Sequence, residues 1–155
     1  ATQAMSAHGR DRIDFLVSTN PGAEPQALGR IASGGELSRV MLALKSLLAR
    51  VDRVPTLVFD EIDAGIGGQV AQAVAAKLRD VAEHHQVFVI THLPQLASRA
   101  HHQLSVEKSE GRGLPVTTVR ELVGEERVWE VARMLGGDPE SSTSRDHARE
   151  LLGLA

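Results

Sequence analysis

Two short apolar runs, each stopping at a residue able to do chemistry, constrain this chain more than any other feature. Thr56-Leu57-Val58-Phe59 stops at Asp60-Glu61, and Val87-Phe88-Val89-Ile90 stops at Thr91-His92. Continuous runs of this kind suit strands buried on both faces of a parallel sheet. Between them a glycine-rich loop over 62–68 leads into Val70, Val74, Leu78 and Val81, whose spacing and interleaved alanines predict a helix. Strand, helix and strand make a βαβ unit with a right-handed crossover and parallel strands. Both strands then present their carboxyl ends at one edge of the sheet, the edge at which open α/β sheets bind ligands. Asp60, Glu61 and His92 are expected there.

The flanking segments fit around this unit. Ile13 to Ser18 alternates weakly and reads as a strand, broken by the turn Asn20-Pro21-Gly22. Leu37, Val40, Met41, Leu44, Leu47, Leu48 and Val51 recur at spacings of three and four, which predicts a long amphipathic helix. Beyond Pro94, Leu104 to Lys108 and Val116 to Leu122 read as a hairpin around Gly111-Arg112-Gly113. Val128, Val131, Ala132 and Leu135 mark a helix ending at Gly136-Gly137, and a last helix carries Ala148, Leu151 and Leu152. Thr143 and Asp146 have capping-box spacing at its start.

Composition excludes several classes. The chain has 155 residues, enough for one domain with a real core. Its aromatics are only Phe15, Phe59, Phe88 and Trp129, so the core must be aliphatic. A net charge of −3 gives no global basic footprint for nucleic acid, although a local basic face stays open. With no Cys, disulfides and thiolate zinc sites are excluded. Ala1 to Arg10 lacks the apolar run of a signal peptide, and no stretch approaches membrane-spanning length. The expectation is a cytoplasmic protein with no membrane partner.

Three segments carry candidate chemistry, each with an ordinary alternative. Ser33-Gly34-Gly35-Glu36 opens the long helix, whose first N–H groups lack internal partners and whose dipole is positive. Two glycines clear side chains from that donor cluster, which suits a phosphate. Ser33 and Glu36 also have capping-box spacing, and that reading is equally available. Asp60 at a strand end can anchor a Mg²⁺ shell, and Glu61 beside it can position or deprotonate water. Both could equally be solvated acids in a turn. His92 can hydrogen-bond a terminal phosphate, or be a lone strand-end histidine. His84-His85 and His101-His102 lack partners at ligand spacing and read as solvated turn and strand residues. One absence matters: no Gly is followed by Lys, so the chain contains no G-x-x-x-x-G-K-[ST] phosphate loop.

The order of these segments resembles the signature motif, Walker B, D-loop and switch histidine of ABC-type ATPases. In detail it resembles the SMC-like DNA-repair branch, specifically RecN-like proteins. The matching stretches are Ser33-Gly34-Gly35-Glu36-Leu37-Ser38-Arg39, then Phe59 to Gly68, then Thr91-His92-Leu93-Pro94-Gln95-Leu96-Ala97. Transporter ATPases usually carry Gln where Glu36 stands and Pro where Ile62 stands, which favours the repair branch.

The resemblance implies an α/β fold: the C-terminal lobe of an ABC-type head. That lobe is a mostly parallel sheet flanked by helices, with a C-terminal hairpin and helices. Residues 1–12 would be a lead-in from a coiled coil, and 13–155 the part of the head lacking the P-loop. It implies that Asp60 holds Mg²⁺, through water, and that Glu61 acts as general base or water-positioning residue. His92 would contact the γ-phosphate. Ser33, Gly34, Gly35 and Glu36 would face ATP held by a second head, and Asp63 would lie in the loop crossing the dimer interface. Arg39, one turn into the signature helix, could touch phosphate or DNA, or be a solvated helix arginine. The implied cofactors are ATP and Mg²⁺. The implied partners are an N-terminal P-loop segment of the same polypeptide, a second head and DNA, in a nucleoid-associated ATPase. The isolated chain would be inactive. The rival expectation is a non-catalytic module that keeps the fold and docks DNA or protein.

Overall fold

The computed structural model describes residues 7, 9, 11, 13–18, 22–30, 33–109 and 115–154. Most of the lead-in over 1–12, the Asn20-Pro21 turn and the Gly111-Arg112-Gly113 hairpin tip lie outside the described residues. A short antiparallel pair, β1 (Leu16–Val17) with β2 (Gln26–Ala27), precedes α1 (Gly34–Leu48). The βαβ unit follows as β3 (Thr56–Phe59), α2 (Gly68–Ala82) and β4 (Gln86–Val89). β3 and β4 are parallel, with Thr56 opposite Gln86 and Phe59 opposite Val89. The donation from Ile90 N to Phe59 O at 3.0 Å carries the pairing to the strand ends, so Asp60 and the Thr91-His92 pair start from neighbouring points. A one-turn helix, α3 (Pro94–Ala97), comes directly after His92.

The main core lies on one side of this pair. Leu57 and Phe59 of β3 meet Leu42 of α1, Val74, Ala75, Leu78 and Val81 of α2, Leu96 of α3, and Ile62 from the loop. The strand pleat turns alternate residues the other way. Val58 is 65% exposed, Phe88 44% and Ile90 58%. Burial on both faces, expected from the apolar runs, therefore holds for one face only. The helices cover the first face, and nothing among the described residues covers the second. Among the described residues the parallel part of the fold is the β3–β4 pair, and the other two sheets are antiparallel pairs.

Helix α1 shows the same incompleteness. Its buried positions are Gly35 and Leu42, with Ala49 just past its end, at seven-residue spacing along one line. The stripe expected to face the core lies on the other side: Leu37, Leu47, Leu48 and Val51 are exposed, Leu47 by 82%. Periodicity located the helix but not the face this chain itself covers. A shallow cavity of about 280 Å³ runs along the seam between α1 and β3, lined by Leu37, Ser38, Met41, Lys45 and Leu57 to Phe59.

The C-terminal part has its own small core. β5 (Gln103–Ser109) and β6 (Val116–Leu122) form the expected antiparallel hairpin. α4 (Glu125–Met134) and α5 (Ser142–Leu152) bury Val128, Val131, Ala132 and Ala148 together. Gly136, at φ +76°, ends α4 in the left-handed conformation typical of that position. The capping box expected at Thr143 and Asp146 is absent. Ser141 is the N-cap and makes no side-chain cap, Thr143 lies inside the helix, and Asp146 Oδ1 accepts from Arg149 Nη1 at 3.0 Å. Arg127 joins the two cores: its Nη2 donates to the carbonyls of Ala97, Ser98 and Ala100, and its Nε to Gln103 Oε1. His85 is buried rather than solvated, with Nδ1 2.7 Å from Val54 O, whereas His102 is exposed beside Glu121.

Candidate active site

The end of β3 turns abruptly. Glu61 has φ +56°, the only positive φ at a non-glycine among the described residues. Such a conformation costs about 1–3 kcal/mol and persists where surrounding contacts over-determine it. Those contacts are present. Asp60 Oδ1 accepts from Glu61 N at 2.8 Å, and Glu61 O accepts from Ala64 N at 2.9 Å. From α1, Ser38 Oγ donates to Asp60 O at 2.8 Å. Arg39 Nη1 donates to the carbonyls of Ile62 and Ala64 at 3.1 and 2.9 Å. Arg39 is thus spent on backbone carbonyls, as a clamp on the loop rather than a solvated helix arginine.

The two glycines at the start of α1 make this closeness possible. A Cβ on Gly35 would stand 2.8 Å from Glu61 O, 2.9 Å from Ala64 Cβ and 3.0 Å from Arg39 Nη1. Gly35 therefore allows close packing of helix against loop, a use the sequence did not reveal. Gly34 differs. Its missing Cβ would overlap only the end of the Glu61 side chain, a group that can swing aside, and the glycine is exposed. Gly35→Ala is expected to destabilise the chain by about 1–3 kcal/mol through overpacking. Urea unfolding measures this, and an unchanged midpoint would mean that the loop retreats freely.

Ser33 is the N-cap residue of α1, and its Oγ accepts from Glu36 N at 3.4 Å. That is a long bond, so capping and anion binding remain compatible uses of the hydroxyl. The Glu61 carboxylate sits against Gly34, at the positive end of the helix dipole. Glu36 is partly buried in the first turn.

Asp63 is 4% exposed, and its carboxylate points inward. Oδ2 accepts from Thr91 Oγ1 at 2.5 Å and from His92 N at 2.9 Å, and lies 3.0 Å from His92 Nδ1. Burial pushes its pKa up, but hydrogen bonds from Thr91 and the His92 backbone outweigh this and hold it below the ordinary carboxylate value. A depressed folded-state pKa means that the ionised network adds stability above the ordinary carboxylate range. That contribution is lost as pH falls through the folded value. The His92 ring itself is 76% exposed.

The structure thus gathers Asp60, Glu61 and the start of α1 directly, and reaches His92 through Asp63. Sequence reasoning missed Ser38, Arg39 and Thr91 as supports. Only the i,i+4 relation of Gly35 and Arg39 hinted that they share a face. Among the described residues no three His, Asp or Glu side chains form a metal cage. The exposed Asp60 still fits Mg²⁺, which keeps most of its waters and takes one or two carboxylates alongside substrate phosphates. Two of the three lysines, Lys45 and Lys77, are paired with Asp52 and Asp80.

Around these features the fold is similar to that of an SMC ATPase head. A solved structure described as "Structural biochemistry of ATP-driven dimerization and DNA stimulated activation of SMC ATPases" superposes with a TM-score of 0.51 at 22% identity, covering 79% of this chain and 80% of that one. No protein-family model matches the chain. Curated relatives are more specific. The chain is 52% identical over 152 residues to the DNA repair protein RecN of Treponema pallidum, covering 98% of this chain and 26% of the relative. Identity to RecN of Streptomyces coelicolor is 47% over 154 residues, covering 99% of this chain and 27% of that protein. For RecN of Bacillus subtilis it is 43% over 151 residues, covering 97% and 26%. The chain is similar over nearly its whole length to a C-terminal segment of these RecN proteins. It spans about a quarter of the length of the curated relatives it matches.

Proposed function

We propose that this chain is the hydrolytic segment of an ATPase head that acts in DNA double-strand-break repair and recombination. A P-loop-bearing segment of the same polypeptide, far upstream, would complete the head. The supporting observation is the convergence of Asp60, Glu61, the α1 start and the Asp63-held His92 at one sheet edge, with Glu61 in strained backbone. In this reading Asp60 holds Mg²⁺ through water, and the ion would neutralise charge developing on the phosphates. Glu61 takes the proton of, or positions, the attacking water, and His92 contacts the γ-phosphate. Ser33, Gly34 and Gly35, with Glu36 behind them, face the γ-phosphate of ATP on a second head through the open helix N-terminus. ATP is then sandwiched between two heads, so its binding drives their association and its hydrolysis releases them. Such a protein would work in the cytoplasm, at the nucleoid. Among the described residues no helix is long and apolar enough to cross a membrane.

The uncovered surfaces support the upstream partner. Val58, Phe88 and Ile90 present an apolar sheet face, and the α1 stripe lies open as well. Such a surface suits an obligate interface resembling half a domain core. Light scattering on the complemented head tests the dimer. Mg²⁺-ATP is expected to double the mass and ADP to leave it single. Equal mass in both states would contradict the sandwich.

A further inference from the structure

We propose that Asp63 is a positioning residue that fixes the tautomer and aim of the His92 imidazole. The loop after β3 and the histidine after β4 then act as one unit. The importance of His92 rests on the function proposed above; the geometry does not.

An ionised carboxylate only accepts hydrogen bonds. The ring nitrogen 3.0 Å from Asp63 Oδ2 is Nδ1, so Nδ1 carries the hydrogen and Nε2 is the atom left toward solvent. The same oxygen also accepts from the His92 backbone N–H, at 2.9 Å, which anchors the ring at its root as well as at its near edge. Thr91 Oγ1 donates to that oxygen and in turn accepts from Leu93 N at 3.0 Å, so the segment leading into α3 is fixed by the same cluster. A carboxylate that merely held its loop would need the hydroxyl and the amide. The third contact, to the ring, is what selects a tautomer.

Asp63 can do this because its own neighbours are pinned. The Arg39 guanidinium holds the carbonyls of Ile62 and Ala64, on either side of it. The carboxylate is buried while the ring it faces is open. An aimed, outward Nε2 accepts a hydrogen from water, or, when the ring is an imidazolium, donates to a phosphate oxygen with Asp63 balancing the charge. A carboxylate behind an imidazole fixes catalytic tautomers elsewhere in this way. The Asp63 carboxylate is buried within this chain, and its effect on nucleotide is exerted through His92.

Ring nitrogen–proton correlation spectra of the ¹⁵N-labelled chain read the tautomer without any nucleotide. In the unmodified chain the neutral His92 ring is expected as Nδ1–H; finding Nε2–H would overturn the proposal. Asp63→Ala is expected to move the ring toward Nε2–H while the remaining amide spectrum stays folded, whereas Thr91→Val keeps Nδ1–H. An unchanged tautomer in folded Asp63→Ala would also overturn it. In the head complemented with its P-loop segment, Asp63→Ala is expected to lower kcat about 10-fold or more with KM for ATP little changed. A rise in KM alone would contradict positioning. A complemented wild-type head that does not hydrolyse ATP would sink the proposed function and leave the tautomer result standing, so the two failures are distinguishable.

Discussion

Glu61→Gln in the complemented head is expected to lower kcat for ATP by about 10²-fold or more, the usual contribution of a positioned general base. The exchange keeps the shape of the side chain and removes its capacity to take a proton. The backbone should tolerate it. The positive φ at Glu61 is enforced by contacts from Asp60, Ser38 and Arg39 that do not use its carboxylate. Because the side chain is exposed, the unfolding free energy of the chain should change by no more than about 0.5 kcal/mol. ATP binding should survive, so the ATP-bound association of heads should last longer than in the wild type. Steady-state turnover and the lifetime of the ATP-bound dimer, measured together, separate this from a folding defect. Normal turnover would show that Glu61 is not the catalytic carboxylate.

The second large effect concerns assembly. Phe88→Asp is expected to weaken binding of the P-loop segment by about 10²-fold or more, because an unpaired carboxylate would be enclosed in an apolar interface. Phe88 lies on the uncovered side of the β3–β4 pair, with Val58 and Ile90. The isolated chain should feel little, since that side chain is already partly in water. Calorimetric titration of the P-loop segment into the chain measures the difference, with Val58→Asp as an independent probe of the same face. If both variants bind as the wild type does, this face is not the docking surface.

The sequence was most legible where local pattern and tertiary demand agree. The apolar run Thr56–Phe59 became β3 residue for residue, and Val116–Leu122 became β6. Strand ends follow from such runs because the flanking residues, Asp60 and Val123-Gly124, break the pattern. Direction was less legible. The stripe from Leu37 to Val51 marked a helix, but this chain buries the opposite line through Gly35 and Leu42. A sequence pattern reports that a face seeks burial, not which body covers it. The same reason left Val58, Phe88 and Ile90 outside.

The candidate site followed a similar division. Residue types at strand ends revealed Asp60, Glu61 and His92, because topology alone brings those ends together. The inward turn of Asp63 and the clamp made by Arg39 were not legible, since loop side-chain direction has no period to read. His85 shows the converse error: a polar pair at a helix end looked solvated, yet one member is buried against Val54 O. The glycine pair stood out in the sequence, but the close approach of Gly35 to Glu61 O and Ala64 was not legible there.

The central claim is that this chain holds the hydrolytic half of an ATP site and needs another segment for the half that grips. The most direct test is ATP turnover by the chain alone, by the P-loop segment alone and by the two combined, with Mg²⁺ and with and without DNA. Negligible turnover by each part and robust turnover by the mixture is the expected result. Robust turnover by this chain alone, or none by a mixture shown to have assembled, would contradict it.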